Sequence, residues 1–178
     1  MNARRVSVST ALVLSLVVAV GGFHLLNGLA RRVEESLVMG FLAPMGDRAV
    51  VLPGHVFQLL PPDQLAFRAD LTPYCSSIIP VLALATIGFF VLSGSLPRRL
   101  VSVLTATALI LVCNVLRIAG SLWMGYEYGG TALVLFHDWV GTFFALAYTM
   151  GGFFLMLYLL LPSATAKIPR AARVSDVL

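Results

Sequence analysis

Three side chains that could do chemistry together lie in or beside long apolar stretches of the sequence: Cys75, Arg117 and His137. A thiol attacks a carbonyl as its thiolate, and because its reference pKa is about 8.5 it needs a base or a cationic neighbour at neutral pH. A histidine can be that base, and cysteine–histidine pairs form acyl-enzyme intermediates by this route. An arginine can stabilise the oxyanion that develops. The three residue types predict a thiol active site if the fold brings them together.

Each of the three residues also has a purely structural interpretation. Cys75 could be a small apolar residue in a core, and His137 could hydrogen-bond a neighbouring helix. Arg117 could reach the membrane surface, or pair with Asp138 or Glu127. An arginine inside an apolar run costs about 2.5–3.5 kcal/mol on insertion scales, so it is usually kept for function or pairing.

Four further residues flank these three and are candidates for supporting the site or binding substrate: Asn114, Ser76, Ser77 and Asp138. Asn114 precedes Arg117 by one helical turn, so it could hold the guanidinium or a substrate carbonyl, or simply bond a neighbouring helix. Ser76 and Ser77 follow the thiol at the start of an expected helix. Their backbone N–H groups lack helical partners there and could be oxyanion donors or ordinary caps.

The composition indicates that these residues sit in a membrane protein. Of the 178 residues 59% are hydrophobic and 11% charged, whereas soluble domains are about 45–50% apolar. The mean hydropathy is +0.94. The net charge of +4 does not predict nucleic-acid binding, because the basic residues form short pairs beside apolar runs. Cys75 and Cys113 have no metal-ligand spacing, so we expect no metal and no cofactor.

Apolar runs long enough to span a bilayer, which takes about 20 residues, occur at about 6–30, 75–96, 100–124 and 131–161. We therefore predict a single integral membrane domain over residues 1–178, an all-α bundle of about four transmembrane helices with a cytoplasmic tail at 162–178. The first run could instead be a cleaved signal peptide, although it is long for one.

Residues 31–74 differ from these runs because they mix charged residues with prolines. We interpret them as an extracytoplasmic loop. Within it, 36–45 and 49–60 are apolar but too short to span, which is typical of amphipathic interfacial or re-entrant segments.

Basic residues set the predicted orientation. A cytoplasmic N-terminus puts most of them on the inner side, namely Arg4, Arg5, Arg98, Arg99, Lys167, Arg170 and Arg173. The long loop has no positive excess. Both termini are therefore predicted to be cytoplasmic, in a plasma or inner membrane.

This topology predicts that the three reactive residues share one depth. Cys75 is the first residue of the second predicted span, entering from outside. Arg117 lies about 26 Å along the third span from its cytoplasmic start, and His137 about 9 Å into the fourth from its outer end. All three are expected near the extracytoplasmic surface.

The residues around them form three blocks, Pro73–Ile78, Asn114–Ile118 and His137–Gly141. These blocks resemble the cysteine, arginine and histidine motifs of the exosortase/archaeosortase family of membrane transpeptidases, and the short chain resembles the family's small members. The resemblance implies that Cys75, Arg117 and His137 are catalytic. It also implies partners: membrane-anchored proteins whose C-terminal sorting signal, a motif followed by a transmembrane helix and a basic cluster, is cleaved outside the cytoplasm.

Two other function classes are compatible with the sequence. One is a non-enzymatic transporter subunit or envelope assembly factor, in which Arg117 contacts an ion or a lipid headgroup. The other is a membrane thiol redox protein that pairs Cys75 with Cys113. A disulfide needs Cα atoms within about 7 Å, which the expected depths of the two cysteines disfavour. No sequence pattern sets the oligomeric state or the substrate motif.

Overall fold

The computed structural model describes residues 8–62, 65–91 and 95–161, so the predicted tail at 162–178 lies outside the described residues. The helices are α1 (Val8–Leu42), α2 (Ile78–Thr86), α3 (Leu96–Tyr128), α4 (Gly130–Leu135) and α5 (Thr142–Leu160). A π-helical segment, Ile87–Val91, extends α2, and another, Phe136–Gly141, joins α4 to α5. Between α1 and α2 lie a 3-10 helix (Ala43–Arg48) and the strands β1 (Ala49–Leu52), β2 (Val56–Leu59) and β3 (Phe67–Asp70).

Within the described ranges, three helical stretches are long and apolar enough to cross a membrane: Val13–Arg48, Leu96–Tyr128 and Gly130–Leu160. Large apolar side chains on them are exposed, among them Leu25 at 83% and Phe143 at 67%. Exposing apolar side chains costs free energy in water but not in lipid. The three helices indicate a membrane protein, as the composition predicts.

The predicted second span, 75–96, is a shorter helix in the structure. α2 and its extension end at Val91, and the apolar helix Ile78–Phe90 is below the length of a full span. The physical reason is a turn before it, in which the Cys75 N–H donates to Thr72 O at 3.0 Å and delays the helix start. In the described part of the chain, three helices are therefore long enough to span a membrane, and this fourth apolar helix is shorter.

The predicted loop at 31–74 is instead largely regular structure. α1 continues to Leu42, so most of the segment 36–45 is its last turns. The segment 49–60 forms a hairpin of β1 and β2, and β3 completes a three-stranded antiparallel sheet of order β1-β2-β3. Gly54, with φ of 90°, reverses the chain between β1 and β2. This segment thus departs from the all-α prediction, because pairing between neighbouring strands stabilises an extended conformation.

The sheet covers the end of the bundle at which α1 and α3 finish and α4 begins, which we call the sheet end. Phe57 and Leu59 of the sheet form one apolar cluster with Leu42 of α1 and Leu122 of α3. At Gly125 an added Cβ would lie 2.8 Å from Phe67 Cζ, so the glycine lets β3 approach α3. The sheet therefore packs closely on this end of the helices.

Farther from the sheet, a second apolar cluster joins α2, α3 and α5. Leu84, Ile110 and Met156 lie at its centre, and none is more than 4% exposed. An added Cβ at Gly152 would lie 3.0 Å from Ile110 Cδ1, which shows how closely α3 and α5 approach. This cluster fixes the spacing of the helices that carry the polar residues.

Candidate active site

Cys75 and His137, far apart in sequence, are in contact at the sheet end. Cys75 Sγ lies 3.7 Å from His137 Nε2, and Thr72 Oγ1 lies 3.3 Å from the same sulfur. On the other side of the ring, His137 Nδ1 lies 3.2 Å from Asp138 Oδ1. One imidazole nitrogen can therefore exchange a proton with the sulfur while the other faces a carboxylate.

Both reacting residues lie where the backbone departs from α-helical geometry. Cys75 is in the turn between β3 and α2, rather than at the first position of a helix as expected. His137 is in the π-helical segment Phe136–Gly141. Such segments are rare and occur frequently at functional sites, because the widened turn redirects the side chains that follow. The fourth predicted span, 131–161, is thus helical as far as Leu160 and changes from α- to π-helical geometry at Phe136–Gly141.

The environment favours the thiolate of Cys75. The hydrogen bond with His137 lowers the pKa of the Cys75 thiol to about 7, although burial acts in the opposite direction. The hydrogen bond with Thr72 and the positive charge of Arg117 also lower that pKa. Because the thiolate is the nucleophile, these contacts favour the reactive form of Cys75.

Arg117 and Asn114 hold the peptide group of Cys75. Asn114 Nδ2 donates to Cys75 O at 3.0 Å, and Arg117 Nη2 donates to the same oxygen at 3.5 Å. Arg117 is only 9% exposed, and its buried Nε has no hydrogen-bond partner among the described residues. A guanidinium with an unused donor beside a thiol can stabilise negative charge that develops there.

Ser76 and Ser77 are engaged within the protein. Ser77 donates from its backbone N–H to Glu34 Oε1 at 2.7 Å and from its hydroxyl at 2.5 Å. Ser76 donates its N–H to Pro73 O at 3.4 Å, and its hydroxyl accepts from the Ile78 N–H at 3.3 Å. The expected oxyanion donors are therefore occupied, most firmly at Ser77. The Ser76 hydroxyl satisfies one N–H at the start of α2, whereas the Ser77 hydroxyl makes no cap hydrogen bond and bonds Glu34 instead.

Glu34 and Tyr148 complete a network that sequence reasoning missed. Glu34 is 0% exposed and accepts from Asn114 Nδ2 at 3.0 Å as well as from Ser77. Tyr148 donates its hydroxyl to Asn114 Oδ1 at 2.9 Å. Glu34 and Tyr148 thus fix the orientation of Asn114, and with it the peptide group of the reactive cysteine.

The spacing of α1 carried a signal for Glu34. Arg31, Glu34, Val38 and Leu42 recur at three- and four-residue intervals, which places them on one face of a helix. Assigning residues 31–74 to a loop hid this pattern. Tyr148 had no comparable signal, because aromatic residues are common throughout its apolar run.

Neither cysteine is in a disulfide. Both lie in the described part of the chain as free thiols. Cys113 packs against the second apolar cluster, away from His137. Among the described residues no group of three or more His, Cys, Asp or Glu is arranged to hold a metal ion.

Comparisons of the chain with protein-family models, with curated proteins and with solved structures find no match. Its function therefore has to be inferred from the geometry of the site.

Proposed function

We propose that this protein is an intramembrane cysteine peptidase or transpeptidase of the exosortase-like type. Its substrates are membrane-anchored proteins with a C-terminal sorting signal, which it cleaves and transfers on the extracytoplasmic side. The observation that carries the proposal is the 3.7 Å contact of Cys75 Sγ with His137 Nε2 beside the largely buried Arg117. A nucleophile, a base and a cation with an unused donor are the groups that acyl transfer needs.

In the first half-reaction His137 holds the proton of the Cys75 thiol, and the sulfur forms a bond to the substrate carbonyl carbon. The carbonyl oxygen becomes an oxyanion, which Arg117 stabilises. When the tetrahedral intermediate collapses, the C–N bond breaks and His137 gives its proton to the leaving amine nitrogen. The N-terminal part of the substrate is then a thioester on Cys75.

In the second half-reaction an acceptor nucleophile, or water in its place, attacks the thioester carbon. His137 takes the proton of that nucleophile as the new bond forms. The C–S bond then breaks and leaves the sulfur as a thiolate beside His137, ready for another substrate.

Two neighbours position the reacting groups in this mechanism. Asp138 accepts a hydrogen bond from His137 Nδ1–H, which keeps Nε2 directed at the sulfur. Asn114, fixed by Glu34 and Tyr148, holds the carbonyl of Cys75. Both are positioning residues rather than catalytic ones.

The distribution of basic residues supports the cellular arrangement that we propose. With both termini in the cytoplasm of a plasma or inner membrane, the sheet end and Cys75 face the extracytoplasmic side. A substrate helix and the surrounding lipid are then natural partners, because the substrate arrives in the same bilayer. No step of the mechanism requires a cofactor.

The test is processing of a co-expressed reporter that carries a C-terminal motif, an apolar helix and a basic cluster. Cys75→Ala and His137→Ala should each abolish the appearance of the shortened reporter. Cys113→Ala is the matched control and should leave processing unchanged, since Cys113 lies away from the base. Processing at the normal rate by the Cys75→Ala variant would overturn the proposed function.

A further inference from the structure

We propose that a cavity on the sheet side of Cys75 is the specificity pocket for a large apolar side chain of the substrate. The occupant is the side chain of the residue whose carbonyl Cys75 attacks, so this inference rests on the proposed function. The cavity, which we call the sheet cavity, has a volume of about 350 Å³. That is enough for a large aliphatic or aromatic side chain with its adjoining backbone.

The sheet cavity includes both reacting side chains in its wall. Cys75 and His137 line it together with Phe57 and Ala69 of the sheet and Leu122 of α3. Whatever fills it therefore lies next to the sulfur. A residue attacked at its carbonyl has its side chain at this distance, so the position fits that residue better than any more remote one.

The remaining lining selects for apolar groups. Ile118, Leu122 and Leu133 face the cavity from α3 and α4. Its two hydroxyls are already engaged, since Ser121 donates to Arg117 O at 2.8 Å and Thr72 bonds the sulfur. Asp70 lies at its exposed rim. A charged side chain would lose its hydration without gaining partners among the described residues inside, whereas an apolar one gains from burial.

A second cavity, which we call the deep cavity, indicates in which direction the substrate chain runs past Cys75. It has a volume of about 500 Å³, shares Cys75 as a wall residue, and lies between Ile79 of α2 and Leu146 of α5. Arg117 and Asn114 also line it. A substrate that crosses the thiol passes from one cavity into the other.

The two cavities differ in distance from the sheet end. On α3 the sheet cavity is lined by Ile118 and Leu122 and the deep cavity by Asn114 and Arg117, so the deep cavity lies farther from the sheet end. In the helical stretch Gly130–Leu160, Leu133 lines the sheet cavity and Leu146 lines the deep cavity. A membrane-embedded tail therefore belongs in the deep cavity. The residue before the broken bond belongs in the sheet cavity.

A lipid acyl chain is the rival occupant of an apolar cavity beside a thiol. Phe57 and Ala69, however, come from the sheet, which lies beyond the end of the membrane-crossing helices. A peptide leaving the membrane reaches that position more readily than an acyl chain does.

The experiment uses the full-length protein in lipid nanodiscs and short peptidyl chloromethyl ketones that differ only in the residue next to the reactive group. Mass spectrometry gives the rate of Cys75 alkylation, and iodoacetamide gives the baseline reactivity of the thiol. Leucine and phenylalanine probes should react at least about tenfold faster than aspartate and lysine probes. Equal rates would overturn the assignment of the pocket.

Two variants locate that selectivity. Ala69→Phe fills the sheet cavity and should reduce the preference for apolar probes, relative to iodoacetamide, by at least about tenfold. Leu122→Ala enlarges the cavity and should shift the preference from leucine towards phenylalanine. Ala132→Phe, which faces a depression lined by Met124 and Trp139 away from Cys75, is the matched control and should keep the wild-type preference. Unchanged selectivity in both cavity variants would overturn the proposal.

The remaining outcomes separate the two proposals. Faster alkylation of Cys75 by 2-bromopalmitate than by the apolar peptide probes would overturn the peptide pocket in favour of an acyl-chain site. Loss of selectivity alone, with reporter processing still dependent on Cys75, would overturn only the pocket. Processing that continues in the Cys75→Ala variant would overturn the proposed function itself.

Discussion

Around Cys75 the interior of the helix bundle is polar, whereas farther from the sheet it is apolar. Near the thiol, Glu34, Asn114 and Arg117 are each at most 9% exposed and bond across different elements. In the second cluster the members are apolar side chains such as Ile110 and Met156, except Tyr148, whose hydroxyl bonds Asn114 of the polar network. Burying polar groups costs free energy unless they are paired. Most of these polar groups lie around Cys75 and are paired there, which is the environment that the proposed site needs.

The largest effect that this comparison predicts is the loss of activity in Arg117→Ala. Without the guanidinium, the oxyanion loses its donor, and reporter processing should slow by about 10²–10³-fold. Arg99 is the matched control, because it is also an arginine of α3 and its Nη1 donates to Phe89 O at 2.8 Å, remote from the thiol. Arg99→Ala should leave processing intact. Equal losses in both variants, measured at equal protein levels, would show that the two arginines serve the same structural purpose.

A smaller effect is expected on stability from Glu34→Ala. The change leaves the Ser77 N–H and hydroxyl without their acceptor and removes one of the two acceptors of Asn114 Nδ2, which should lower the free energy of unfolding by about 1–3 kcal/mol. Glu35→Ala removes a partly exposed pair with His55, at 2.7 Å, and should cost less than about 1 kcal/mol. Denaturant unfolding in detergent compares the two. A Glu34→Ala variant no less stable than Glu35→Ala would mean that the buried network contributes nothing to the fold.

The smallest effect is expected from a change in the second apolar cluster. Ile110→Val removes one methylene from a residue that is 0% exposed and should lower the free energy of unfolding by about 0.5–1.5 kcal/mol. The alkylation rate of Cys75 should not change, because Ile110 has no polar contact with the site. Measuring denaturant unfolding and Cys75 alkylation in the same variant checks both expectations. A changed alkylation rate would show that the apolar cluster around Ile110 is coupled to the site at Cys75.

Local sequence patterns predicted much of the molecule. The apolar runs at 100–124 and 131–161 were predicted correctly as helices. This was possible because the hydrophobicity of about 20 consecutive residues can be read from the sequence alone. Estimating depth along those helices also anticipated that Cys75 and His137 lie close together. These predictions needed only helix geometry and the order of the spans.

Features that depend on contacts between separate segments escaped prediction. The strands at 49–52 and 56–59 look like short apolar segments in the sequence, and the pairing of β1 with β2 and of β2 with β3 is visible only in the structure. The π-helical segment at Phe136–Gly141 has no compositional signature, yet it sets the orientation of His137. Glu34 was missed because residues 31–74 were assigned to a loop, whereas α1 continues to Leu42 and packs under the sheet through Val38 and Leu42.

The pH dependence of Cys75 alkylation measures the proposed thiol–imidazole pair most directly. The rate of carboxymethylation, followed by mass spectrometry, should rise as the pH passes through about 7 in the native protein, since the hydrogen bond with His137 lowers the pKa of Cys75. In His137→Ala burial acts without that bond, so the midpoint should move to higher pH. A native midpoint near the ordinary thiol value of about 8.5, unchanged by His137→Ala, would contradict the assignment of Cys75 as an activated nucleophile.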